Sequence, residues 1–154
     1  PYGINFWPEF KGRDGCRTPM PWKNTTNGAF SDAKKTWLPI DRHHLPLAVE
    51  EQENDRSSVL HAYRDFLHLR RIHPELIYGD IHFLYDDETT LSFTRTYQGK
   101  VLYISINTSE QTKIISTDLA LTPLVLPEAL PMGYIKNQQV VLPPCSVILA
   151  IVTI

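Results

Sequence analysis

From residue 77 the pattern of apolar residues switches to period two, in a series of short runs, and that period argues for strands in the second half of the chain. Three β-branched and aromatic runs follow one another: "IHFLY" (Ile81–Tyr85), "LSFTRTY" (Leu91–Tyr97) and "VLYISIN" (Val101–Asn107). "DDETT" separates the first two, and "QG" (Gln98–Gly99) separates the second and third, as turn residues between strands should. Shorter candidates lie at Lys113–Ser116, Gln139–Leu142 and Val147–Val152. Strands repeated about every ten residues, with no helix between them, predict an antiparallel sheet or sandwich.

Residues 55–72, "DRSSVLHAYRDFLHLRRI", carry the opposite period. Val59, Leu60, Tyr63, Phe66, Leu67 and Arg70 share one face of a helix. Asp55 or Ser57 can cap its start, and Arg70, Arg71 and His73 suit the negative end of its dipole. Pro74 stops it, because the residue before a proline is driven out of the α region.

Residues 1–56 have neither period. They hold all three tryptophans (Trp7, Trp22, Trp37) and the turn-rich "NTTNG" (Asn24–Gly28). A structureless stretch of this length is either a functional loop or a disordered one. Disorder goes with few aromatics, so the aromatic content favours long ordered loops that need another surface to pack on. The chain starts at Pro1 with no initiator methionine, basic n-region or apolar h-region, which suggests a processed chain or a piece of a longer one.

Composition excludes several partners. A net charge of -2 gives no electrostatic reason to expect nucleic acid or anionic lipid. The longest apolar stretch, Ser146–Ile154, is too short to span a bilayer. Cys16 and Cys145 do not make a disulfide framework, and free thiols in a reducing cytoplasm are expected.

The chemistry-bearing residues are sparse. His61 and His68 lie seven apart on the predicted helix without a third ligand nearby, and His43–His44 lack zinc spacing, so no metal site is expected. Cys16 lies close to arginines that could lower its pKa, but no histidine is placed to act as its base. Asp86, Asp87 and Glu88 fit a turn between strands better than a calcium loop. "KGRDGCRTPMPW" (Lys11–Trp22) remains. It is either a loop stiffened by Pro19 and Pro21, or a rigid presentation of an arginine fork and aromatics to a polar ligand.

"GRDGCRTPMPW", followed by "NGAFS" (Asn27–Ser31) and "TWLPI" (Thr36–Ile40), resembles the distal part of α-glucosidases and oligo-1,6-glucosidases of the α-amylase superfamily, glycoside hydrolase family 13. "SVLHAYRDFLHLRRIHPEL" resembles the helix that closes their (β/α)8 barrel. "VLYISINTS" and "LPPCSVILAIV" resemble strands of their C-terminal β-domain. The resemblance implies an α+β fragment, with residues 1–76 the end of the barrel (long loops plus final helix) and residues 77–154 an all-β antiparallel C-terminal sandwich domain.

A (β/α)8 barrel needs about 250 residues, more than this chain has. Members of the superfamily use an aspartate nucleophile, a glutamate acid/base and a stabilising aspartate that follows a histidine. No His-Asp dipeptide occurs here, and no segment resembles the other two motifs. The resemblance therefore implies no catalytic residue in this chain. It makes Arg17 a substrate-binding residue at the closed end of a sugar pocket, and Arg13 and Asp14 supports of its loop. It implies a retaining exo-acting enzyme on small α-glucoside oligosaccharides, without a cofactor, inactive as these 154 residues alone. Self-association through the surface that would face the barrel is also expected. Two alternatives stand beside it: a non-catalytic β-sandwich module that binds glycan or protein, and a transporter-associated relative without hydrolase activity.

Overall fold

The structure, a computed structural model, describes residues 13–126 and 130–153. The chain divides into two compact units, Pro1–Leu60 and His61–Ile154.

Among the described residues of the second unit, the period-two region forms eight strands. They are β1 (Asp80–Asp86), β2 (Thr90–Tyr97), β3 (Lys100–Asn107), β4 (Lys113–Ser116), β5 (Ala120–Pro123), β6 (Tyr134–Lys136), β7 (Gln139–Leu142) and β8 (Ser146–Thr153). All the strand pairs are antiparallel. They build one five-stranded sheet in the order β1-β2-β3-β8-β5 and one three-stranded sheet in the order β4-β7-β6.

Alternation in β3 and β8 puts a different core on each face of the larger sheet. Leu102, Ile104 and Leu149 face Leu69 of the long helix, and Phe66, Leu76 and Phe93 pack around them. The intervening residues Tyr103, Ile148 and Ala150 face the other way, onto Val140 and Leu142 of β7. The larger sheet is thus covered by a helix on one side and by the smaller sheet on the other.

The second face also buries polar groups, several of them paired, whereas the Thr90 and Tyr103 hydroxyls are buried without a hydrogen-bond partner among the described residues. Ser92 and Ser105 oppose each other across β2 and β3 and share a hydroxyl hydrogen bond of 2.7 Å. Asn107, 1% exposed, is the main polar tie. Its Nδ2 donates to the carbonyls of Gln111 (2.7 Å), Leu142 (3.1 Å) and Pro143 (2.9 Å), while its Oδ1 accepts from the Ser109 backbone N–H and hydroxyl. One amide at the end of β3 therefore fixes both the turn after β3 and the bend between β7 and β8.

The helices are α1 (Val49–Asn54), α2 (Val59–Ile72) and α3 (Glu75–Tyr78). The helix expected over 55–72 starts four residues later, at Val59, after a local turn at Asp55. The Asp55 Oδ1 accepts from the Ser57 N–H and hydroxyl, closing that turn. The first turn of α2 is served by α1: Gln52 Oε1 accepts from the Leu60 N–H at 3.1 Å, and Ser58 Oγ donates to the Gln52 carbonyl at 2.8 Å. Pro74 does end α2, and α3 begins directly after it.

The helical face differs as well. Phe66 and Leu69 pack on the sheet and His61 is buried, whereas Val59, Tyr63 and Leu67 are exposed. The period changes at residue 77, while packing joins α2 from His61 onward to the sheets. Two strands have no counterpart in the sequence reading. β5 is an edge strand that ends in Pro123, and β6 is three residues long. The expected Gln98–Gly99 turn is present, both residues at positive φ, and Asn137–Gln138 makes the equivalent turn between β6 and β7 without a glycine.

β1 lies at the edge of the larger sheet with all seven residues exposed, Ile81, Phe83 and Tyr85 among them. Its register with β2 shifts between Phe83 and Tyr85.

Replacing Asn107 by alanine leaves the buried Leu142 carbonyl without its donor, and each such orphan costs about 1–3 kcal/mol. Urea denaturation followed by far-UV circular dichroism should show N107A to be less stable by about 2–4 kcal/mol.

Candidate functional site

The loop that carries Arg17 is built by short-range backbone bonds. Asp14–Cys16 forms one turn of 3-10 helix: the Cys16 N–H donates to the Arg13 carbonyl at 3.2 Å, and the Arg17 N–H donates to the Asp14 carbonyl at 3.1 Å. The Cys16 thiol donates to the same Arg13 carbonyl at 3.0 Å, which gives it a local structural partner. Arg13 and Arg17 are exposed; Asp14 is half-buried, and its Oδ2 is buried with no hydrogen-bond partner among the described residues. Lys11 and Gly12, which open the motif, lie outside the described residues.

The next segment doubles back. The Gly28 carbonyl accepts from both the Trp22 and Lys23 N–H groups, at 2.7 and 3.1 Å. Asn27, Gly28 and Ala29 all have φ between 54° and 59°. At Gly28 a β-carbon would come within 2.9 Å of both Ile40 Cδ1 and Pro21 Cα, so the close approach of these two strands of loop requires glycine. The carbonyls of Pro21 and Trp22 accept from the Val49 and Glu50 N–H groups, which caps α1. Lys23 and Glu50 form a half-exposed ion pair at 3.0 Å, a tie of minor energetic weight.

Arg17 lines a cleft of about 520 Å³ with Thr18, Met20, Phe30, Ser31, Lys35 and Trp37. Such a volume falls within the range of about 300–1,000 Å³ usual for small-molecule sites. Sequence reasoning singled out Arg17 alone. The motifs "NGAFS" and "TWLPI" were the available signal for Phe30 and Trp37, since each follows the arginine loop at short range.

A larger cleft of about 700 Å³ lies in the second unit, between the Tyr63–Arg70 side of α2 and residues of β2, β3 and β8. Its lining is mainly apolar, with Arg70, Arg95, Asn107, Thr108 and Ser146 among its polar residues. The Nε of Arg95 is buried without a hydrogen-bond partner among the described residues.

The remaining candidates take structural roles. Asp41 Oδ1 accepts from the His43 N–H at 2.9 Å and meets its Nδ1 at 2.8 Å, which caps the 3-10 turn Arg42–Leu47. The His43 backbone N–H, above all, holds the Asp41 carboxyl below its ordinary range. His61 is buried and His68 exposed, so the two do not face one ligand. Among the described residues no group of three His, Cys, Asp or Glu side chains is placed to hold a metal. Asp87 shapes the β1–β2 turn: its Oδ1 accepts from the N–H groups of Thr89 (2.8 Å) and Thr90 (2.7 Å), and its Oδ2 from the Tyr85 hydroxyl (3.1 Å) and Lys113 (3.4 Å). These donors, the Thr89 N–H foremost, hold its carboxyl far below the usual carboxylate range against the opposing effect of burial.

Comparison with known proteins places the sequence and the fold of the chain in a family. Residues 4–79 match the model of the α-amylase catalytic domain. A probable alpha-glucosidase of Rhizobium meliloti (strain 1021) is 48% identical over 111 residues, which are 72% of this chain and 20% of that protein. An oligo-1,6-glucosidase of Parageobacillus thermoglucosidasius is 32% identical over 106 residues, 68% of this chain and 19% of that protein. Among solved structures, the alpha-glucosyl transfer enzyme XgtA superposes with a TM-score of 0.90 at 36% identity, over 99% of this chain and 28% of the XgtA chain.

The chain belongs to the α-amylase family. It spans about a fifth of the length of the curated relatives it matches.

Two substitutions test the geometry of these loops. G28A must hold an alanine at positive φ and in contact with Pro21 and Ile40, so it should lose about 1–3 kcal/mol, read by tryptophan fluorescence during urea denaturation. Asp87 has a lower pKa folded than unfolded, so its contribution is complete above the unfolded value of about 4 and fades as pH falls toward the folded one. D87N should therefore be less stable than the wild type at pH 7, and the gap should narrow between about pH 5 and pH 2, measured by thermal melts.

Proposed function

We propose that this chain is the C-terminal part of a retaining exo-α-glucosidase that removes terminal α-linked glucose from short oligosaccharides. In this reading residues 1–76 are the distal part of a (β/α)8 barrel, its active-site loop and last helix. Residues 77–154 are the antiparallel C-terminal sandwich domain. The observation that carries the reading is the exposed guanidinium of Arg17 at a cleft shared with Trp37 and Phe30. Its support is the 48% identity to a protein named a probable alpha-glucosidase.

A guanidinium offers planar, multidentate donors to hydroxyl and carboxylate oxygens. Arg17 would hold the hydroxyls of the terminal glucose and pair with a carboxylate from another part of the polypeptide. Arg13 and Asp14 would keep the Arg17 turn in shape. Retention of configuration needs two carboxyl groups about 5–5.5 Å apart across the glycosidic bond, one as nucleophile and one as acid/base. We place both outside these 154 residues, so the isolated chain is a non-catalytic module. No cofactor enters this chemistry, and the free, exposed thiols of Cys16 and Cys145 fit a cytoplasmic protein. Among the described residues no helix is long and apolar enough to cross a membrane.

Likeness to an enzyme named for alpha-glucosyl transfer supports a second reading, in which an acceptor sugar rather than water takes the glucosyl group.

The test is hydrolysis of maltose and isomaltose, with glucose release and transfer products both measured. The complete polypeptide should turn over at least one of them, and residues 1–154 alone should turn over neither. Turnover by the 154 residues alone would show that the carboxylates lie within them. R17A in the complete polypeptide removes charged hydrogen bonds worth about 1.5–3 kcal/mol, and kcat/KM should fall by about 10- to 100-fold.

A further inference from the structure

Trp37 is the most exposed large apolar side chain among the described residues, at 96% of its full accessible area. It nevertheless sits on a fixed loop. The Thr36 hydroxyl donates to the Leu38 carbonyl at 2.6 Å, closing the backbone around Trp37, and Leu38 itself is buried. On the other arm, Asn27 Nδ2 donates to the Ala33 carbonyl at 2.6 Å, and the Ala33 N–H donates to Ser31 Oγ at 3.1 Å. Phe30, also exposed, is carried between Asn27 and Ser31. Both aromatics and Arg17 line the same cleft.

We propose that Trp37, with Phe30, is the platform for the second sugar of the substrate, the residue next to the terminal glucose that Arg17 would hold. The inference rests on the α-glucosidase reading above and adds residues that set its chain-length preference.

The chemistry of the lining argues for a sugar. A pyranose ring has an apolar C–H face and an equatorial rim of hydroxyls. An indole offers a large apolar face, and the tethering of its loop lowers the entropy lost on binding. Thr18, Ser31, Lys35 and Thr36 surround the aromatics with hydroxyl and ammonium groups that can meet the rim. A protein–protein contact would be built differently, since lysine and serine are depleted where two proteins bury a surface. With Arg17 assigned to the terminal unit, the aromatic part of the cleft is left for the next one.

The experiment uses the complete polypeptide and compares α-glucosyl fluoride with a trisaccharide, substrates that differ only beyond the terminal glucose. α-Glucosyl fluoride fills the terminal position alone, whereas maltotriose and isomaltotriose also place a sugar on the aromatic platform. For W37A, kcat/KM on the better trisaccharide should fall about tenfold further than kcat/KM on α-glucosyl fluoride, with the excess in KM. W37F should recover most of that excess. Equal losses on both substrates, or an unchanged preference, overturn the platform role while leaving the glucosidase reading intact. A wild-type protein that hydrolyses neither substrate overturns the glucosidase reading itself, and the platform with it. Melting temperatures of W37A and W37F identify any variant that fails to fold, and W37F then carries the test.

Discussion

Strand β3 has no solvent side over most of its length, and the second unit is organised around that fact. Leu102 and Ile104 bury against the helical side, while Tyr103 and Ser105 bury against the smaller sheet. A strand enclosed in this way tolerates no slip, because a shift of one residue would exchange its two sets of side chains. Asn107 reinforces the register at the strand's end, where an amide bonds to three carbonyls from two other parts of the chain. The rest of the unit follows from this strand: β2 and β8 must pair with it, α2 must cover one face, and β7 must cover the other.

The loop unit has a different logic. It has few buried side chains, Leu38 and Ala48 among them, and many backbone bonds between residues close in sequence. Its shape rests on turn chemistry: a 3-10 turn before Arg17, a left-handed run through Gly28, and an Asp41 cap. Loops held by their own backbone can present large side chains to solvent without losing position. That arrangement suits a binding surface better than a packed core would.

The strands were legible in the sequence where side-chain alternation and a glycine turn agreed. β2, β3 and their Gln98–Gly99 turn are the clearest case. β6 escaped notice because Asn137 and Gln138 make a left-handed turn with no glycine to announce it. β5 escaped because Pro123 reads as a breaker and is tolerated only at a sheet edge. The start of α2 was hidden for another reason. Its cap comes from Gln52, a residue on another helix, and only a hydrogen bond across the intervening turn reveals it. At the candidate site the arginine motif was readable as a string. The grouping of Arg17 with Phe30 and Trp37 depends on how the intervening loop doubles back, which no periodicity encodes.

The edge strand β1 has a bearing on how this chain behaves in a crowded solution. Its outer row of backbone donors and acceptors, with Ile81, Phe83 and Tyr85 beside them, is the kind of border to which a foreign strand adds by hydrogen bonding. The irregularity between Phe83 and Tyr85 interrupts the rungs midway, and Asp80 and Asp86 place a carboxylate at each end. An invading strand would meet only a few consecutive rungs before the spacing failed, and two like charges if it were a copy of β1. The irregularity thus limits the run of regular rungs that this border of the sheet offers.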